Sequence, residues 1–323
     1  MHVGLVVTAP PDVLDHVPLA LMERAGVWAL FLRCYEDEMR WRSPAVMTFA
    51  QRTREQRLRL FLLPAGYGIL ACEQHPSSLF LQVHPETRQV DNRGRKLPRA
   101  CPNNPRYLEW FTTSVRTLAW MIEADGFAWE EPGFHFGRGS WACRCRYCQE
   151  LYSGRDPKPL PTELTPAAAA LRQQSVAMLV AAASAAIKSV DSNLASLVMP
   201  TPGAQTGAVP TGSENWRLLE STEGVDGLVL TWPPEAYGEA GVGGATGLYT
   251  ASRAWLGGST PVLLRLLCPP DLTDVEIVLQ QLKQLGAQAV LLEDGSLSLT
   301  QGRPGRRAEE LLDVVRTVTR AGR

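Results

Sequence analysis

Residues 125–148 read DGFAWEEPGFHFGRGSWACRCRYC. Asp125-Gly126 opens a short run that is apolar through Trp129, the pattern of a parallel strand covered on both faces. Two carboxylates, Glu130 and Glu131, stand where that run stops. A dozen residues on, Cys143, Cys145 and Cys148 form a Cys-x-Cys-x-x-Cys bend, a spacing that lets three thiolates converge with little distortion of the chain.

The same kind of run recurs on either side. HVGLVVTA, VWALFLRCY and RLRLFLLPAGYG precede it, and ASLVMPT, VDGLVLTW, PVLLRLL and AQAVLLED follow. Helical patterns separate them: Asp12 to Arg24 (ended by Gly26), Ala45 to Gln56, YLEWFTTSVRTLAWMIEA behind a cap at Asn103 or Asn104, and an alanine-rich segment from Pro166 to Ser189. Asn215 to Ser221, Ala245 to Leu256, Asp274 to Leu285 and Arg306 to Thr319 complete the series. Eight strand-then-helix units predict an α/β fold, a single (β/α)8 TIM barrel spanning residues 1–323 as one domain. The long connection after strand three contains LFLQVHPETRQVDNRG and predicts a hairpin-like insertion on the mouth. The cysteines make the loop after strand four a metal-binding loop. GVGGATG, after residue 240, reads as a flexible loop, because no strand runs directly into it as a dinucleotide fingerprint requires.

Composition excludes several function classes. The formal charge is −1 and the arginines are scattered among acids, so no global field favours nucleic acid or a membrane surface. The first residues lack the basic and long apolar regions of a signal peptide, and no later run reads as a membrane span. A soluble, cytoplasmic protein is therefore expected, with a homo-oligomer left open. Seven cysteines in a reducing compartment point to thiolates rather than disulfides. Cys34, Cys72 and Cys268 read as small buried hydrophobes, and Cys101 as the fourth ligand beside Cys143, Cys145 and Cys148. Four thiolates suit a closed structural Zn2+ site, with an iron-sulfur cluster as the rival.

Active sites of this fold lie at the C-terminal ends of the strands. That places Arg33, Tyr35, Tyr67, Glu130, Glu131, Trp232, Glu293 and Asp294 around the mouth, a mixture suited to a neutral polyol that stacks on aromatics. Alternation sends Phe127 and Trp129 outward and Glu130 inward. Glu130 is accordingly the first choice for a general acid and Glu131 the second. Asp294 leads the candidates for a second carboxylate, ahead of Glu293, Glu36 and Asp37. His135 could donate to a leaving group or sugar hydroxyl. An Arg33–Glu130 pair across the mouth would depress the carboxyl pKa and oppose an acid role; Arg33 is equally placed to bind an anionic substrate.

Cys101, followed some forty residues later by the Cys143, Cys145 and Cys148 bend with an acidic strand end between, resembles the zinc-binding arrangement of the β-galactosidases of glycoside hydrolase family 42. CPNNPRYLEWF, DGFAWEEPGF and CRCRYCQELY are similar to a wider set of bacterial TIM-barrel glycosidase-like proteins. The resemblance covers about residues 98–152 and implies a barrel, a structural zinc and glycosidic-bond cleavage by general acid/base catalysis. Two positions depart from it. The family's acid/base glutamate follows asparagine, whereas Trp129 precedes Glu130; its nucleophile is a strand-seven glutamate, and PVLLRLL offers none. Those departures bar transfer of the family's double-displacement mechanism; a glycoside hydrolase-like enzyme is the first expectation, and a catalytically inactive barrel that binds a saccharide or protein partner is the alternative.

Overall fold

The eight apolar runs pair with one another because each is buried on both faces and none is left at an open edge. A computed structural model of the protein describes residues 1–9, 11–36, 43–65, 78–137, 139–154, 159–201, 210–232, 236–256, 260–269, 271–294 and 306–320. Its strands are β1 (His2–Val7), β2 (Val27–Tyr35), β3 (Arg59–Ala65), β4 (Gly126–Glu130), β5 (Ala195–Met199), β6 (Gly227–Trp232), β7 (Val262–Leu267) and β8 (Ala289–Glu293). They close into a parallel barrel in sequence order, with β1 pairing both β2 and β8.

Alternation along each strand divides the core in two. Val6, Phe31, Phe61, Ala128, Met199, Val229, Leu263 and Leu291 fill the barrel interior. Leu30, Trp129, Leu228, Leu264 and Leu292 face outward and pack under the helices. Two residues beyond Phe31, Ala128, Val229, Leu263 and Leu291 stand Arg33, Glu130, Thr231, Arg265 and Glu293. The interior therefore changes from apolar to charged at the C-terminal end of the barrel.

Among the described residues, eight helices alternate with the strands: α1 (Leu19–Ala25), α2 (Ser43–Glu55), α3 (Pro105–Met121), α4 (Pro166–Lys188), α5 (Trp216–Glu220), α6 (Ala236–Trp255), α7 (Thr273–Gln284) and α8 (Arg306–Arg320). Asn104 caps α3, its side chain accepting from the Arg106 and Tyr107 amides. Gly26 closes α1 at φ 86°, a left-handed position that glycine adopts without steric cost.

Four sequence expectations change. The helix expected over Asp12 to Arg24 is split into a 3-10 turn at Pro11–His16 and α1, because Pro18 has no N–H and disfavours helix in the residue before it. GVGGATG is helical, lying inside α6, where buried Ala245 and Tyr249 supply packing that overrides weak propensity. LFLQV is a short helix, Leu79–Val83, whose Phe80 stacks on Trp110 of α3 at 4.2 Å. The antiparallel strands of the insertion come later, at Arg88–Val90 and Lys96–Ala100. Finally, α4 is long and apolar enough by length and composition to cross a membrane, though over half of it is buried here and it packs against α3.

Candidate active site and metal centre

At the barrel mouth two arginines and two glutamates interlock. Arg33 donates from Nε to Glu130 Oε2 at 3.0 Å and from Nη2 to Glu130 Oε1, while its Nη1 reaches Glu293 Oε1 at 2.7 Å and Thr8 Oγ1 at 3.2 Å. Arg265 contacts Glu130 Oε1 through Nη2 at 2.9 Å and donates from Nε to Glu293 Oε2 at 2.5 Å. The four formal charges cancel. Burial alone would raise the Glu130 pKa, but the Arg265 charge and the Arg33 hydrogen bond outweigh it and hold the carboxyl below the usual glutamate range. Glu130 points inward, as alternation requires, yet it is a poor proton donor. The Arg33–Glu130 pair also commits the arginine nitrogens to partners within the protein.

Glu131 has the opposite environment. It sits at φ 49°, and its amide donates to Met199 O at 2.7 Å. A left-handed conformation in a residue with a Cβ costs about 1–2 kcal/mol. It breaks the strand's alternation, leaving the Glu131 carboxyl close enough to Arg33 and Arg265 to feel their charges. Burial raises its pKa, the Glu130 charge adds to that, and Arg265, Arg99 and Arg33 oppose without prevailing. No hydrogen bond or ion pair engages its side chain among the described residues. Two adjacent carboxyls at one strand end are thus pushed apart in acidity, Glu130 downward and Glu131 upward.

The remaining sequence candidates separate. Tyr35 shares the inward face of β2 with Arg33 and is buried. The His135 amide donates to Gln89 Oε1 at 2.9 Å and its carbonyl accepts from the Ala142 amide and Arg172, which fixes its backbone between β4 and the cysteine loop. Trp232 faces the outer core, not the mouth, since Thr231 takes the inward position on β6. Tyr67, Cys72 and Asp37 lie outside the described residues. Glu36 accepts from Ser78 Oγ and, at 2.7 Å, from the Phe80 amide, so it anchors the Leu79–Val83 helix.

Asp294 points away from the mouth. One residue past inward-facing Glu293, it accepts from Arg307 of α8 at 2.8 Å, and Arg307 also donates to Pro269 O at 2.5 Å. It ties the last helix to the ends of β7 and β8. The inward carboxylate of β8 is Glu293. Asp294→Asn is expected to lower stability by about 1–3 kcal/mol, because a buried acceptor of a charged donor is weakened, while leaving any turnover unchanged. Denaturant unfolding and kcat/KM, measured on the same preparation, check this.

Arg265 and Thr231 were not singled out from the sequence. A signal for Arg265 was present: a lone charge in VLLRLL, two residues past inward Leu263, must lie in the barrel.

The four expected metal ligands do converge. The Sγ atoms of Cys101, Cys143, Cys145 and Cys148 all lie within 4.8 Å of one another, with Cys101 3.4 Å from Cys148 and 3.5 Å from Cys145. Ligands about 2.3 Å from a tetrahedral ion stand about 3.8 Å apart, so the set fits. Two segments build it. Cys101 follows the insertion strand Lys96–Ala100 and donates its amide to Thr87 O at 2.8 Å; Cys145 caps the helix Arg146–Ser153, whose first turn carries Cys148. The Val90 amide and the Asn103 side chain donate to Cys143 and Cys148 sulfur, both at 3.3 Å. Burial pushes the Cys101 thiol up, whereas hydrogen bonds from the other three sulfurs hold Cys145 well below the usual thiol range. The cluster thus joins the insertion to the loop that follows Glu130 and Glu131.

No protein-family model matches the sequence, and no curated protein matches it. Solved structures do. The β-galactosidase of the psychrophilic Marinomonas ef1 superposes with a TM-score of 0.71 at 10% identity, over 99% of this chain and 60% of that one. A family-42 β-galactosidase from G. stearothermophilus gives 0.70 at 12%, over 98% and 56%. The PgaB (BpsB) glycoside hydrolase domain of Bordetella bronchiseptica gives 0.70 at 13%, over 97% and 98%. The chain thus spans little more than half the length of these β-galactosidases but nearly all of the single hydrolase domain. What these likenesses establish is the architecture: the chain has the (β/α)8 barrel fold of TIM-barrel glycoside hydrolases.

Proposed function

We propose that the protein is a carbohydrate-active barrel of the glycoside hydrolase type, with Glu131 as proton donor to a glycosidic oxygen and a structural zinc held by Cys101, Cys143, Cys145 and Cys148. The observation that carries this reading is the contrast between neighbouring carboxyls at the end of β4: Arg33 and Arg265 clasp Glu130, whereas among the described residues no hydrogen bond or ion pair engages the Glu131 side chain. A general acid must hold its proton near working pH, and of the pair only Glu131 is surrounded so as to do that. Glu293 is the second carboxylate of the mouth and the more open of the two that the arginines engage, with 18% of its side chain exposed against 10% for Glu130. In this reading Glu293 accepts a hydrogen bond from the attacking water, while Arg33 and Arg265 hold its carboxylate in position.

Cys101, Cys143, Cys145 and Cys148 would hold the zinc in a closed four-sulfur shell that leaves no open position for catalysis; bound there, it would pin the insertion and the loop after β4. Its tetrathiolate would carry excess negative charge. Arg172 of α4 is buried beside it, over the Phe134 ring at 5.3 Å, and feels the charges of Cys143 and Cys148. Burial lowers its pKa to about 10, leaving it cationic at neutral pH.

One observation favours a second reading, a saccharide-binding barrel without turnover. The strand that carries the nucleophile in the resembled family places an arginine, Arg265, in the mouth. A panel of chromogenic glycosides separates the two. Turnover that disappears in Glu131→Gln supports the enzyme; turnover that survives it removes the assigned acid. Saccharide binding without turnover on any substrate moves the assignment to the second reading.

A further inference from the structure

The guanidinium of Arg265 is only partly used. Its Nε and Nη2 serve Glu293 and Glu130, but Nη1 is buried and has no hydrogen-bond partner among the described residues. The hydroxyl of Thr231 is likewise buried and, among the described residues, unpartnered. These residues are register neighbours on β6 and β7, both on the inward face, and are only 4% and 3% exposed. A buried polar group without a partner costs about 1–3 kcal/mol, so two of them on register neighbours at the C-terminal end of the barrel interior mark a place suited to an oxygen from outside.

From this we infer that Arg265 Nη1 and Thr231 Oγ1 form a subsite for a neutral hydroxyl of the saccharide. Nη1 can only donate, so its partner must offer a lone pair. Thr231 can donate or accept, and a sugar hydroxyl satisfies both atoms at once. A carboxylate would also accept, but the charges of Arg33, Arg265, Glu130 and Glu293 already cancel, and a further buried anion would have no counter-charge. The subsite therefore selects neutral glycosides over uronates. The inference rests on the carbohydrate reading above and is independent of whether Glu131 acts as the acid.

Equilibrium binding of methyl glycosides of glucose, galactose and mannose, their deoxy analogues and the matching uronates tests it on wild type, Thr231→Val and Thr231→Ser. Thr231→Val keeps shape and removes the hydroxyl, so it should weaken the preferred neutral glycoside about fivefold, the order of one neutral hydrogen bond. Thr231→Ser should restore wild-type affinity. One deoxy analogue should bind wild type and Thr231→Val equally, and uronates should bind more weakly than their neutral counterparts. Equal affinity of wild type and Thr231→Val for every sugar, or tighter binding of uronates, overturns the subsite and leaves the carbohydrate reading standing. Binding of no sugar by any of the three proteins overturns both.

Discussion

Cys145→Ser is expected to abolish stoichiometric zinc binding and to lower the melting temperature by on the order of 5–10 °C, the result of losing at least about 3 kcal/mol in a chain of this size. Cys145 is the least buried of the four ligands, so the exchange of sulfur for oxygen perturbs packing least there. The effect should be large because the site joins distant segments. Cys101 follows the insertion, Cys143 to Cys148 follow β4, and the Asn92 amide bonds Trp141 O at 2.9 Å between the same two segments. Without an ion, three buried sulfurs and one half-buried sulfur would face one another with only thiol hydrogen bonds between them. A strong chelator should shift wild type to the melting temperature of Cys145→Ser and leave the variant unmoved. Wild-type protein that is folded, metal-free and indifferent to chelator would remove the metal from the account.

Glu131→Gln is expected to reduce kcat by about 10²- to 10⁴-fold on glycosides with poor leaving groups, the usual contribution of a positioned acid, and by less on activated aryl glycosides. Its fold should persist, because no hydrogen bond or ion pair holds its side chain among the described residues. Glu130→Gln should show the reverse emphasis. Arg33 and Arg265 would lose a charged acceptor, and stability would fall by about 3–5 kcal/mol, the range for breaking a buried pair from one side. The pH profile distinguishes them further. In wild type kcat/KM should fall as pH rises through the raised pKa of Glu131, and that limb should vanish in Glu131→Gln. A Glu130→Gln enzyme that folds normally but loses all turnover would return the acid role to Glu130.

The barrel was legible because strands buried on both faces are apolar at nearly every position, and all eight runs carried that mark. Helix boundaries were less so, since Pro18 acts on one turn while an amphipathic pattern averages over several. The helix through GVGGATG was legible only from Ala245 on; its glycine-rich first half carries weak propensity, and the packing that holds the helix comes from the strand and helix that follow it. Within the site, cysteine spacing foretold the convergence of Cys143, Cys145 and Cys148 directly, because the geometry of a Cys-x-Cys-x-x-Cys bend is short-ranged. Alternation placed Glu130 correctly on β4. Applied equally to β8, it would have set Glu293 inward and Asp294 outward, since Leu291 fills the interior. What alternation could not give was the partner of each inward charge. Whether Glu130 keeps a proton depends on Arg33 and Arg265, which lie 97 and 135 residues away in sequence and meet it only when the barrel closes.

Carboxyl 13C NMR titration of Glu130 and Glu131, assigned through Glu131→Gln, tests the split without needing any substrate. The signs follow from the environments. Glu130, depressed in the folded state, contributes stability that is present above the ordinary glutamate pKa and is lost as pH falls through its folded value. Glu131, raised in the folded state, favours folding at low pH, and that contribution is lost as pH rises through its folded value. The account predicts that Glu131 titrates above 4.5 and Glu130 below it. Glu131 titrating at or below 4.5, or Glu130 holding its proton to higher pH than Glu131, would contradict it.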